Sequence, residues 1–258
     1  MGGLRAGPGR RVITDPGFYL VAVPAILLVG ISKSGFGAGF GALGVPLMAL
    51  AVPVPQAAAI MLPSLVVMDA LGLAALMRHR DRDLVRLLLP AGLLGTAIGT
   101  ALFGWLSAKT VAGIVGALTL LFLAIRTVFP AKADAPPPPR WVGAVLGTVS
   151  GFTSFVAHAG GPPISFYVLP LRLQPLALTG TLAVFFAAIN AAKWLPYAWL
   201  GLIDGRNMST AAVLMPVAPV GVWIGVRVVK RLPTALFYRV FSVGMLLTGT
   251  KLLWDGLR

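Results

Sequence analysis

Apolar residues in this chain fall in long, nearly unbroken runs, with no alternation of the kind a strand would need. Val85 to Leu106, Val111 to Ile125 and Leu176 to Leu202 contain few polar positions. About 20 apolar residues in a helix cross the hydrocarbon core of a bilayer, so these runs predict membrane spans. The missing alternation argues against a barrel. The expected fold class is therefore an all-α polytopic membrane protein. The pattern predicts a tail over 1–16, a first interrupted segment over 18–52 and spans over 56–77, 84–105 and 108–129. A Pro-rich linker follows over 131–140. A second interrupted segment is expected over 141–171, then spans over 176–202, 208–229 and 234–254.

The two halves, 17–130 and 141–258, resemble each other. Ser34-Gly35-Phe36 returns as Ser150-Gly151-Phe152, and Gly44-Val45-Pro46 as Gly160-Gly161-Pro162, both 116 residues later. Met68-Asp69 matches Ile189-Asn190 at an offset of 121, and Pro90, Gly95 and Gly99 match Pro216, Gly221 and Gly225 at 126. The offset only grows, as short loop insertions would make it. If each interrupted segment is a re-entrant hairpin, each half crosses three times and the halves are inverted. If it is one broken helix, each half crosses four times and they are parallel. With Lys33 and Lys193 left out as intramembrane, Lys and Arg counts allow both, with 12 inside and 7 outside for hairpins and 13 and 6 for single spans. The first interrupted segment has 35 residues, roughly 52 Å as helix against a core of about 30 Å. A single-span arrangement also places Arg227, Lys230, Arg231 and Arg239 outside. Inverted repeats with half-helices are the preferred reading.

Composition sharpens this. Of 258 residues 58% are hydrophobic and 11% charged, and the mean hydropathy is +0.91. Soluble domains average about 25% charged residues. The net charge of +14 would suggest nucleic acid on a soluble protein. Here the cations sit in short links such as Arg78-His79-Arg80-Asp81-Arg82, where they act as topology signals and touch anionic lipid, so no nucleic-acid partner is expected. With no cysteine, disulfides and thiol chemistry are excluded. The first apolar segment carries no cleavage signal and is expected to stay on the chain.

The breaks carry the chemistry. Gly35, Gly37, Gly39, Gly41 and Gly44 loosen the first, and Pro46 suits the start of a new helix. Gly160-Gly161-Pro162-Pro163 takes that role in the second. Backbone that is not helical at membrane depth lines a cavity or is buried in protein. A half-helix N-terminus offers free N–H groups and partial positive charge to an anion, and paired interruptions point to a transporter's binding site. The same glycines also suit close helix packing. Lys33 and Lys193 are costly in a membrane unless they face a cavity or a partner. Asn190 can donate to an oxyanion, or glue two helices. The expected anion site therefore comprises Ser32, Lys33, Ser34, Gly35, Phe36, Gly37, Gly39, Gly44, His158, Gly160, Gly161, Pro162, Asn190 and Lys193. Asp69 and His158 are candidates for proton coupling, Asp69 also for a structural ion pair. Phe36, Phe40, Phe152, Phe155, Phe166, Trp194 and Tyr197 could wall a pocket for an organic group, or simply pack. No HExxH, GxSxG, Walker loop or nearby carboxylate pair in an apolar segment is present, so neither catalysis nor a cofactor is expected.

At these residues the chain resembles the sulfite exporter TauE/SafE family of membrane anion transporters, over about residues 20 to 255. The likeness rests on Gly30 to Pro46, on Gly151-Phe152 through Pro163, and on Thr181, Phe185-Phe186, Asn190 and Lys193. It implies proton-coupled secondary transport, inward or outward, of a sulfur-containing anion such as sulfite, thiosulfate, sulfoacetate or another organosulfonate. Where many relatives continue with glycines, this chain has Ala157-His158-Ala159. The expected reading is a carrier in the cytoplasmic membrane whose partners are the anion and lipid, with a homo-oligomer allowed. The alternatives are a channel or carrier for another small solute, or a membrane scaffold without transport.

Overall fold

A computed structural model describes residues 12–36, 41–103, 105, 107–128 and 137–257. Gly37, Gly39 and Phe40, most of the N-terminal tail and most of the linker lie outside the described residues. Within them every regular element is helical. Helix α1 (Pro16–Ile31) starts where the Asp15 carboxylate accepts from the Gly17 N–H at 2.9 Å, with Pro16 in the first turn. It runs into one π turn, Ser32–Phe36; a 3-10 turn, Gly41–Leu43, then leads to the short α2 (Gly44–Met48). Helix α3 (Val54–Leu76) follows. Next comes α4 (Arg82–Ala101), capped by Asp81, which accepts from Asp83 N–H and Leu84 N–H. Helices α5 (Ala108–Val128), α6 (Arg140–Ala157), α7 (Gly161–Val168), α8 (Pro175–Trp199), α9 (Gly205–Leu214), α10 (Val217–Arg231) and α11 (Thr234–Leu257) complete the chain.

Among the described residues five helices are long and apolar enough to cross a membrane, and α9 with α10 makes a sixth span if the bent pair is taken as one. Leu94, Ile114, Leu195, Val220 and Leu247 point outward, where acyl chains solvate them. The protein is a multi-pass integral membrane protein. Sequence predicts one span over 208–229; the structure has α9 and α10 meeting at 48°. Pro216 and Pro219 withdraw two N–H groups within one turn, so the regular helical ladder fails there and the Ala218 N–H donates to the Met215 carbonyl at 3.1 Å instead.

Both interrupted segments double back. A side chain on Gly41 would face Ser32, and one on Gly44 would collide with Val29. The ends of this segment reach the same place: Ile13 N–H donates to Thr210 Oγ1 and Gln56 Nε2 to Asn207 Oδ1, both at 3.1 Å and both on α9. In the second segment Ser150 Oγ donates to the Gly160 carbonyl at 2.6 Å, and a side chain on Gly143 would meet Tyr167.

The helices pair in two senses. Helices α1 and α10 run parallel, with Gly30 against Gly221 and Gly35 against Gly225. So do α4 and α6, with Gly92 against Gly151 and Gly99 against Phe155. Helices α3 and α8 run antiparallel, joined by Asn190 to Asp69 and with Gly180 packed against the Leu76 carbonyl. Helices α5 and α11 are antiparallel as well, with Gly113 against Gly256 and Gly116 against Gly249. Glycine at these crossings removes the Cβ that would hold the backbones apart.

Candidate functional site

Five side chains from α3, α6, α8 and the first break form one buried polar chain. Lys33 sits on the π turn after α1, a widened turn of the kind that often re-aims functional side chains. Its Nζ lies 2.5 Å from Asp69 Oδ1, in the middle of α3. Asn190 Nδ2 donates to Asp69 Oδ2 at 2.8 Å. Asn190 and Lys193 are three residues apart and share one face of α8, so Asn190 Oδ1 accepts from Lys193 Nζ at 2.9 Å. Lys193 Nζ also donates to Ser154 Oγ in the last turn of α6, at 2.7 Å. The run Lys33–Asp69–Asn190–Lys193–Ser154 thus joins the two halves of the sequence.

Lys193 is 0% exposed and Asp69 5%, so the hydrogen bonds and not water satisfy them. The Lys33 ammonium also stands 5.5 Å from the centre of the Phe186 ring. Among the described residues no carboxylate lies within ion-pair distance of Lys193. An ammonium has three donors, and two are used. The third is left for whatever fills the adjoining space.

That space is a cavity of about 40 Å³ between the breaks. Lys33, Gly44, His158, Gly161, Asn190 and Lys193 line it, with Ser154, Phe186 and an apolar wall that includes Met61 and Leu65. His158 ends α6 in the left-handed region, φ +51°, which throws the chain from α6 towards α7. Its Nδ1 lies 3.0 Å from the Ser154 carbonyl, which can only accept, so that nitrogen carries the proton. Nε2 is buried and has no hydrogen-bond partner.

The remaining expected residues among those described do not line the cavity. Gly35 packs on the backbone of Gly225, and Phe36 stacks on Phe237 at 6.1 Å. Ser32 and Ser34 are buried in the π turn beside Lys33. The Gly160 carbonyl accepts from Ser150, and Pro162 is buried at the start of α7. Of the expected aromatics, Phe155 packs edge-on to Phe103 and Tyr197, and Tyr197 donates to the Phe155 carbonyl. The half-helices offer fewer donors than the breaks suggest. Pro162 and Pro163 lack N–H groups at the start of α7, Pro46 lacks one in α2, and α2 is only five residues long. The ammonium groups are therefore the principal anion-attracting feature. Sequence reasoning passed over Ser154; its only signal is a position one helical turn before His158.

Apolar helices long enough to cross a bilayer thus enclose a buried polar cluster of two lysines, one aspartate and one asparagine, the make-up of a multi-pass membrane protein with a polar centre. The model of the family described as sulfite exporter TauE/SafE matches residues 22–252, and the chain belongs to that family of membrane anion transporters. Among curated proteins and among solved structures no match was found.

Proposed function

We propose that the protein is a secondary carrier that moves a small sulfur-containing anion, sulfite-like or an organosulfonate, across the cytoplasmic membrane. The observation that carries this reading is Lys193: a fully buried lysine with two protein acceptors, no carboxylate within ion-pair distance among the described residues and a cavity beside it. Such a residue is retained in a membrane only with work to do. Lys33, Asn190 and the Nε2 of His158 reach the same space and complete a set suited to sulfur–oxygen groups. By the measure in which one water needs about 10–15 Å³, a cavity of about 40 Å³ holds roughly three waters. That size suits an inorganic oxyanion and leaves no room for an aryl group in this conformation. Asp69, bonded to Lys33 and Asn190, is the preferred proton-coupling group.

Two inverted repeats, 17–130 and 141–258, frame the site in this reading. Its support is directional: the proposed mates α3 and α8 run antiparallel, as do α5 and α11, and parallel pairing of α1 with α10 is matched by parallel pairing of α6 with α4. An axis in the membrane plane generates those relations; an axis along the normal would make mates parallel. The end of the bundle that holds Arg78, Arg80, Arg82, Arg172, Lys230 and Arg231 then faces the cytoplasm.

Uptake of labelled sulfite, an alkyl sulfonate and an aryl sulfonate into proteoliposomes tests the function, with and without a proton gradient. Sulfite flux above that of protein-free vesicles is expected, and its absence for every anion refutes the carrier.

A further inference from the structure

Helix α10 has two faces of different kind. Gly221 and Gly225, one turn apart, pack on the backbone of α1 and of the turn that follows it. Val220, Trp223, Arg227, Lys230 and Arg231 recur every three or four residues and share the opposite face. That face is bare: Val220 is 50% and Trp223 58% exposed, and the three cations are exposed as well. Along the helix it passes from apolar to basic, with the indole ring at the change. A lipid presents its acyl chain and then its headgroup in the same order.

The cations of this face have no carboxylates to pair with among the described residues. The chain has seven acidic residues against 21 Lys and Arg. Asp134 lies outside the described residues, and each of the other six is engaged elsewhere. Asp15, Asp81 and Asp204 cap α1, α4 and α9. Asp69 pairs with Lys33, Asp83 with Arg86 and Asp255 with Lys251. Arg227 instead lies over an aromatic ring, its Cζ 3.4 Å from the centre of Trp223. The ring covers one face of the guanidinium and leaves its N–H edge uncovered. A guanidinium stays charged in any protein environment, and its paired donors fit two oxygens of a phosphate. From Arg227 to Arg231 the helix rises about 6 Å, so one headgroup reaches all three cations.

We propose that this face of α10 binds one anionic phospholipid, its phosphate on Arg227, Lys230 and Arg231 and the upper part of its acyl chain along Trp223 and Val220. A zwitterionic headgroup brings a further cation to three already present, so a headgroup of net negative charge, such as that of phosphatidylglycerol, is preferred.

The purified full chain in neutral detergent is titrated with dioleoyl phosphatidylglycerol. Bound lipid is counted by native mass spectrometry, and the melting temperature is followed alongside. One phosphatidylglycerol is expected to stay on the protein after the rest are removed, and to raise the melting temperature. Dioleoyl phosphatidylcholine and soluble glycerol phosphate are expected to do neither. Arg227→Gln is expected to weaken that lipid about tenfold, the share of one charge-assisted contact. Trp223→Leu, which removes the ring that seats the guanidinium, is expected to weaken it about threefold. Arg86→Gln removes the same charge from a residue already paired with Asp83 and is expected to leave the affinity unchanged. All three side chains are exposed, so each variant is expected to fold. Equal losses in Arg227→Gln and Arg86→Gln would reduce the effect to bulk charge and overturn the site. Phosphatidylcholine retained as tightly, or glycerol phosphate raising the melting temperature as far, would overturn the anionic lipid as its occupant.

Discussion

Replacing Lys193 by methionine removes a fully buried amino group that has no carboxylate within ion-pair distance among the described residues, while keeping the length and apolar stem of the side chain. Lys193 Nζ has two protein acceptors, Ser154 Oγ at 2.7 Å and Asn190 Oδ1 at 2.9 Å, and a third donor for the anion. A hydrogen bond to a charged group contributes about 1.5–3 kcal/mol net. At 1.36 kcal/mol per decade this is about ten- to a hundred-and-fiftyfold in Kd. The Coulomb attraction of two unit charges 4 Å apart, about 4 kcal/mol at an effective dielectric of 20, sets a ceiling near a thousandfold. Lys193→Met is therefore expected to raise the Kd for sulfite by about two decades, read by titration calorimetry of the purified protein in detergent. Lys251→Met is the control. Lys251 pairs with Asp255 within α11, away from the cavity lining, and its loss is expected to leave the Kd unchanged. A Lys193→Met protein that folds and binds sulfite within twofold of the original refutes the assignment of Lys193 to the site.

Three further expectations follow from the geometry. Ser154→Ala removes one of two acceptors that aim Lys193 and is expected to weaken sulfite binding about tenfold, the lower end of the roughly 1.5–3 kcal/mol that such a bond contributes; an unchanged Kd would show that Asn190 alone positions the Lys193 side chain. Phe186→Ala opens the cavity beside Lys33 and is expected to admit aryl sulfonates in a competition flux assay, whereas continued rejection would place the size filter elsewhere. Gly151→Ala puts a methyl group into the Gly92 backbone where α6 crosses α4, and overpacking of this kind costs about 1–3 kcal/mol, so the melting temperature in detergent is expected to fall. Gly72→Ala on α3 meets open space and is expected to leave that temperature unchanged or raise it; equal losses in both would contradict the packing account.

Much of this arrangement was legible because a membrane imposes one dominant rule. Apolar runs must be helices, so α3, α4, α8 and α11 could be read directly, and Gly and Pro inside such a run stand out as breaks. Lys33, Asn190 and Lys193 stood out for the same reason: a charge or an amide in an apolar run is conspicuous. Asp69 and Asn190 matched each other as sequence mates, and the structure joins them by a hydrogen bond, since α3 and α8 cross antiparallel at the centre. Ser154 gave no such signal. Serine is unremarkable in a membrane helix, and only the placement of α6 against α8 brings it to Lys193. The aromatics misled for a related reason, because ring packing between helices and ring lining of a pocket have the same composition; Phe36 and Phe155 serve packing. Pro90 and Pro216 are sequence mates too, yet α4 runs through its proline while the chain bends between α9 and α10. The difference is Pro219, which removes a second donor one turn on.

The central claim is that a small sulfur oxyanion sits between the two breaks against Lys193. A crystal structure with sulfite or thiosulfate bound, phased for anomalous scattering from sulfur, tests it most directly, since the chain has no cysteine and its eight methionines are at known positions. The account predicts one additional sulfur peak in the cavity, with oxygen atoms within hydrogen-bond reach of Lys193 Nζ. A cavity filled only by water at saturating anion, with the extra peak elsewhere on the molecule, would contradict it.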